Sequence, residues 1–249
     1  MLLLLSPAKT LDTDPTDINT HSQPNFLEQT QRLVDLLRPM KEEDIQQLMG
    51  VSQKLAELNV ERYQNWTTPF DLDNAKQAIL TFKGDVYQGL SAEDFDQEDL
   101  DFAQQHIGIL SGLYGFLRPL DLMQPYRLEM GTKLENKEGK DLYAFWGEQL
   151  AQHINAQKPN AVVNLASKEY AKAVPPNALK APLWQIDFKE KKNGKYKIVA
   201  FYAKKARGMM AYYAVKNRLT EPEQLKGFDL DDYTYNTTLS KERHLVFTR

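Results

Sequence analysis

The chain has no cysteine among its 249 residues. That absence excludes disulfides, thiolate zinc sites, cysteine-ligated iron–sulfur clusters and thiol peroxidase chemistry. It fits a reducing compartment. An excess of charge of one sign is also missing: 31 bases stand against 34 acids, a formal net charge of −3. An anionic partner must therefore be met by a local patch and not by the whole molecule. Long hydrophobic runs are missing too. The opening Met1-Leu2-Leu3-Leu4-Leu5 stops at Ser6-Pro7, lacks the positive flank of a secretory signal and is too short to cross a bilayer. It reads as a buried first strand, in a cytoplasmic protein with no membrane partner. Neither G-x-G-x-x-G nor G-x-x-x-x-G-K-[ST] occurs, so no Rossmann or P-loop assignment follows and no cofactor is expected. The histidines His21, His106, His153 and His244 are scattered without metal-ligand spacing, so no metal site is expected.

What is present is an ordinary globular composition, 42% apolar and 26% charged, in a chain long enough to bury a core. Phe26, Leu33, Leu36 and Leu37 have helical spacing up to Pro39, and two short helices follow at 42–49 and 52–64. Asn74 reads as the cap of a helix carrying Ala75, Ala78 and Ile79. Six acids between Glu93 and Asp101 open a helix predicted to reach Leu110, where they suit the positive end of the dipole. A helix over 141–155 and a short strand from Val162 to Leu165 come next, and Ser167 caps a further helix. The stretch LWQIDFKEKKNGKYKIVAFYA is two alternating runs around Asn193-Gly194, which predicts a hairpin with a type I′ turn. After Ala203 the pattern is helical to Arg218. Thr220 with Glu223 reads as a capping box, and Leu245-Val246-Phe247 as a last strand. Helices and strands mix without regular alternation. The expectation is a single mixed α+β domain over 1–249, outside the common superfolds.

Positive charge is segregated. Lys189, Lys191, Lys192, Lys195, Lys197, Lys204, Lys205, Arg207, Lys216 and Arg218 crowd one segment in which Glu190 is the only acid. Lysines around a hairpin tip also serve simply to keep an edge strand soluble. FYAKKARGMM differs, because it sets Lys204, Lys205 and Arg207 where a strand gives way to a helix. Cations there oppose the helix dipole, and a bound oxyanion would offset that cost. LLLLSPAKT has the same outline, with Ser6, Lys9 and Thr10 following a buried strand.

HIGILSGLYGFLRPLD poses a further question. Its glycine turn, with Gly112, Tyr114, Gly115 and Arg118, is similar to the hairpin of a helix-hairpin-helix. There glycine lets backbone N–H groups approach a DNA phosphate. The glycines are two residues apart instead of one, and a helix C-cap followed by a tight turn explains the same residues. An enzyme acting on a nucleotide or phosphorylated small molecule is the other class of reading. Lys9, Lys204 and Arg207 would then hold phosphate, and Asn164, Ser167, Glu169 and Tyr170 would supply polar chemistry, with Glu169 as general base. Ser167 as a cap and Tyr170 as core compete with that role.

SPAKT, AILTFKGDVYQGL, LSGLYGFLRPLDLMQPYRLEMG, GKDLYAFWG, NLASKEY and FYAKKARGMM, in this order, resemble the YaaA family of peroxide stress-resistance proteins along essentially the whole chain. The resemblance implies survival of hydrogen peroxide, a lowering of free intracellular iron, and DNA binding, largely without sequence preference, through a basic cleft with a helix-hairpin-helix-like element. It brings no catalytic residue set. It implies DNA contact at Gly112, Tyr114, Gly115 and Arg118. Motif and charge together extend the cleft to Lys9, Lys83, Arg127, Lys204, Lys205 and Arg207. No oligomeric state follows from it.

Overall fold

The computed structural model describes residues 1–249. The apolar run Leu2–Leu5 is a strand buried on both faces, as a near-continuous hydrophobic sequence requires. It lies inside an eight-stranded sheet, parallel to Ile107–Ser111 on one side and to Val162–Asn164 on the other. Leu183–Lys192 and then His244–Thr248 continue the parallel order beyond Val162–Asn164. Antiparallel Gly115–Leu117 and Thr234–Tyr235 close the two edges. From the first strand the chain crosses toward Ile107–Ser111. From Val162–Asn164 it crosses the opposite way, toward Leu183–Lys192. The two neighbouring strands thus send their connections apart at their carboxyl ends. In open sheets such a switch point leaves a crevice.

Helix Ala200–Lys216 packs across the sheet and buries Ala203, Ala206, Met210, Ala211 and Ala214. It meets helix Asp85–Leu90 at unusually short range because both carry glycine at the crossing. A Cβ on Gly208 would sit 2.7 Å from the Leu90 nitrogen, and one on Gly89 would sit 2.9 Å from the Met209 nitrogen. The far end of the long helix is tied to helix Gln97–His106 through Asp99, which accepts from Lys216 at 2.6 Å and Arg218 at 2.6 Å. Burial pushes the Asp99 carboxyl up, but hydrogen bonds from those two cations outweigh it and hold the group below its ordinary value. One contiguous core of 67 buried residues runs through sheet and helices, so no second hydrophobic nucleus divides the chain.

The α+β class is as expected, and several local readings are corrected. The helix opened by the acid-rich stretch ends at His106, not Leu110. Ile107–Ser111 is a central strand, because a short apolar run beside Leu3–Leu5 is equally at home in a buried strand. The 141–155 helix is two, Leu142–Trp146 and Gln149–Ala156, broken at Gly147 with φ 47°. Asn74 does not cap a helix. It holds a loop instead, with its side chain bonded to Pro69 and Gln124. The capping box falls one position on, at Glu221 and Gln224. The turn of the hairpin is as predicted, with Asn193 at φ 51° and Gly194 at φ 72°. Its second strand stops at Lys197, however, and the helix begins at Ala200 and not after Ala203, so Lys204, Lys205 and Arg207 lie beyond the first turn of the helix and not at its N-terminus.

Candidate functional site

A crevice of about 500 Å³ opens at the switch point. Lys9, Lys83, Arg127, Lys204 and Arg207, drawn from four separate stretches of sequence, all line it. Each arrives for a structural reason. Ser6–Thr10 is the connection leaving the first strand, and Thr10–Leu11 pairs antiparallel with Phe82–Lys83, which sets Lys9 and Lys83 on one rim. Lys204 and Arg207 are three residues apart on the long helix and share a face. Ser167–Tyr170 follows strand Val162–Asn164 and forms the opposite wall. The Ser6 Oγ accepts the Ser167 N–H at 2.8 Å and joins the two strand-end loops.

Most of these cations are already paired. Lys9 meets Glu129 at 2.7 Å, Arg127 meets the same carboxylate at 3.3 Å, Lys83 meets Asp12 at 3.0 Å and Lys204 meets Asp85 at 3.8 Å. A hydrogen bond from Lys83, then the Asp14 N–H and Lys76, bring the Asp12 carboxyl down to about 2. Arg207 has no carboxylate within 4.0 Å and is half-buried. Burial lowers its pKa and Asp187 partly restores it, so it remains a guanidinium with unspent donors. The Arg127 Nε is buried and has no partner. Glu169 accepts the Gly131 N–H at 2.8 Å. Burial first, and neighbouring Tyr126 second, push the Tyr170 phenol far up, so it stays a neutral donor. The crevice thus offers cationic and neutral donors above all, which is the chemistry of anion holding. The Ser167 side chain caps its helix by accepting the Tyr170 N–H at 3.5 Å, and no base is bonded to either serine. Asn164 is spent on Gln185 and the Ala166 N–H.

The glycine corner is not where DNA contact was expected. Strands, not helices, flank it, so it is not a helix-hairpin-helix. Gly112, Tyr114 and Gly115 are buried. The Tyr114 hydroxyl accepts from Trp66 at 3.1 Å and donates to the Gln124 carbonyl at 3.0 Å. A Cβ on Gly112 would fall 2.9 Å from the Leu128 carbonyl carbon. The close approach that demands glycine is made by the segment carrying Arg127 and Glu129. Arg118 follows a strand that runs back to the other end of the sheet, where it grips buried Asp121 at 3.0 Å. Lys205 is exposed one position round the helix from Lys204 and stands outside the crevice.

Sequence reasoning passed over Asp85, and over Glu129 as the partner of Lys9, because both pairings reach across more than a hundred residues. The two helices predicted at 42–49 and 52–64 are present as Glu42–Met49 and Gln53–Asn65, but that they form a helix–turn–helix pair turning on Gly50 at φ 61° went unread. A glycine and a serine between two helical spacings were the available signal. That pair borders a wider groove of about 720 Å³ lined by Asp44, Gln47 and Lys133, and the groove meets the crevice at Glu129 and Glu169.

Fold and site together define a mixed-sheet α+β protein with a cation-lined crevice at a topological switch point. No helix is long and apolar enough to cross a membrane. The family model of the peroxide stress protein YaaA matches residues 1–239, so the chain belongs to that family and has a role in peroxide resistance.

Proposed function

We propose that the crevice holds the sugar-phosphate backbone of DNA and that this binding protects DNA under peroxide stress. The observation that carries the reading is the convergence of Lys9, Lys83, Arg127, Lys204 and Arg207 on one concavity, with Arg207 unpaired. Contacts of this kind position a backbone without reading bases, so sequence preference is weak. The carboxylates around the crevice are each engaged, Glu129 and Asp85 with cations and Glu169 with a backbone N–H. Any lowering of free iron is therefore indirect in this reading. The test is fluorescence anisotropy of a labelled oligonucleotide over a salt series. Lys204→Ala with Arg207→Gln should weaken binding at least tenfold and flatten the log–log salt slope by about 1.8 on duplex, at roughly 0.9 per lost phosphate contact. An unchanged slope in a folded double variant removes the proposal.

The location of the crevice favours one second reading, a nucleotide or phosphorylated small-molecule site with Ser6, Ser167, Glu169 and Tyr170 as its polar wall. A nucleotide that raises the melting temperature of the wild type, but not of Arg207→Gln, would support it by mass action.

A further inference from the structure

Strand Leu183–Lys192 reaches the edge of the sheet at the same carboxyl end as the crevice, where its last residues pair with Lys195–Lys197 on one side and only the Lys191 N–H still meets the chain's last residue, Arg249, on the other. The result is a projecting two-stranded ribbon. Lys191, Lys192, Lys195 and Lys197 are all exposed. The single acid, Glu190, is taken by Arg249 at 2.9 Å and by the Tyr233 hydroxyl. Solvation accounts for the lysines. It does not account for the apolar residues among them. Tyr196 is 40% exposed, Ile198 49%, Phe201 59% and Tyr202 43%, four of the eight most exposed large apolar side chains, within seven consecutive residues. Phe201 and Tyr202 meet edge to face at 5.5 Å, and Arg249 backs Tyr202 at 4.8 Å. Three of the four are aromatic, and the helix carrying Phe201 places Lys204 in the crevice less than one turn later.

We propose that the corner formed by the 189–198 ribbon and the first turn of the 200–216 helix is a stacking platform for the unpaired bases of single-stranded nucleic acid. Lysines beside a sugar-phosphate track, with aromatic faces at base height, suit a single strand because every base has a π-face. A duplex hides those faces. The charge around the crevice sets the direction of the strand. On the side of the 42–49 helix the groove offers one base, Lys133, beside the acids Asp44, Glu129 and Glu169, and so little to hold a phosphate chain. On the other side Lys204, Lys205 and the ribbon attract it. A strand held at Arg207 therefore leaves over Phe201 and Tyr196. The inference rests on the DNA reading of the crevice for its path, and its own prediction is a preference for single-stranded over duplex ends.

The experiment compares a labelled oligo(dT) and a hairpin duplex on the full chain, in wild type, Tyr196→Ala with Phe201→Ala, and Lys204→Ala with Arg207→Gln. Both aromatic positions are exposed and make no hydrogen bond, so unchanged melting is expected and is measured alongside. The platform variant should bind oligo(dT) at least about thirtyfold more weakly, from roughly 1–3 kcal/mol for each of the two lost stacks, with duplex affinity changed less than twofold. Substituting 2-aminopurine in the strand should give fluorescence quenching with wild type that the platform variant loses. Equal loss on duplex and single strand, or none on either, overturns the platform while leaving the crevice reading to its own variant. Binding to vesicles containing anionic lipid, abolished by the same aromatic changes in the absence of any oligo(dT) effect, would reassign the corner to a membrane surface and also overturn it.

Discussion

Gly208 offers the sharpest test of how the crevice is built. Replacing it by alanine should raise stability if only local preference mattered, because alanine gains about 1 kcal/mol over glycine inside a helix. Space decides otherwise. The new Cβ would lie 2.7 Å from the Leu90 nitrogen, 2.8 Å from the Val86 carbonyl carbon and nearer still to its oxygen. Contacts to carbon relax at about 3.5–4.0 Å, so helices 85–90 and 200–216 must part by roughly 1.5 Å to clear the Val86 oxygen. The obstacle is backbone on a packed helix and cannot swing aside. Overpacking of this kind costs about 1–3 kcal/mol, and backbone collision puts Gly208→Ala at the upper end. For a chain of this size that lowers the melting temperature by roughly 5–12 °C. The displaced helix carries Lys204 and Arg207 away from Gly84–Val86, so polyanion affinity should fall with stability. Gly50→Ala is the matched comparison. It meets open space but holds φ 61°, and strain there costs about 1 kcal/mol. Differential scanning fluorimetry of both variants reads the difference. Gly208→Ala melting at or above the wild type would refute the close-packed crossing and the placement of the crevice wall that depends on it.

Glu129→Gln should tighten oligonucleotide binding several-fold and steepen its salt dependence, because one carboxylate holds both Lys9 and Arg127; anisotropy titration checks it. Stability should decline as pH falls from about 7 toward 5. Burial lowers the pKa of His106 and of His153 from 6.5, with Arg118 adding to the effect at His153. Their contribution is therefore present above the unfolded value and is lost as the pH drops through the folded one. A melting temperature flat over that window, or unaltered in its slope by His153→Gln, would contradict it. Asp99→Asn should lower the urea midpoint without changing m, by about 1–2 kcal/mol. Lys216 and Arg218 lose their shared carboxylate but, a third exposed, recover water.

The sequence made the cations of the crevice legible where they follow a structural boundary. Lys9 stands just past a buried strand, and Lys204 and Arg207 stand in the first turns of the helix that follows the ribbon. Lys83 needed the family resemblance to be picked out. The counter-ions of Lys9 and Lys204 were illegible, since nothing local to either points to Glu129 or to Asp85. The Asn193-Gly194 hairpin was readable because both residues tolerate the left-handed backbone the turn demands. The 107–115 corner shows the limit of the same method. That Gly112 must admit a close neighbour was visible in the residue type. Whether the neighbour is a phosphate or the chain's own Leu128 carbonyl depends on what folds over it. Reading Ile107–Leu110 as the end of a helix then made the wrong neighbour plausible, because a five-residue apolar segment buried on all sides has no period to betray it.

The pairing inside the crevice bears on which anion it can hold. Lys9, Lys83 and Lys204 each already face a carboxylate, so a phosphate that reaches them replaces one negative partner by another. Exposed pairs of this type are worth roughly 0–1 kcal/mol, and little is gained by a single exchange. Arg207 faces no carboxylate within 4.0 Å and the Arg127 Nε has no partner, so these two donors meet a phosphate with no exchange. A lone monophosphate can engage those two and still compete with Glu129 for the rest of Arg127. A chain of phosphates gains the same anchor and then makes each later exchange within one molecule, where effective concentration replaces affinity. The carboxylates also keep five positive charges from repelling one another when the crevice is empty, so they stabilise the unliganded wall and screen it from small anions together. If the crevice holds phosphate as proposed, this arrangement would discriminate by the number of linked phosphates more than by the strength of any one contact, which is the ground for preferring the polynucleotide reading over that of a small phosphorylated substrate.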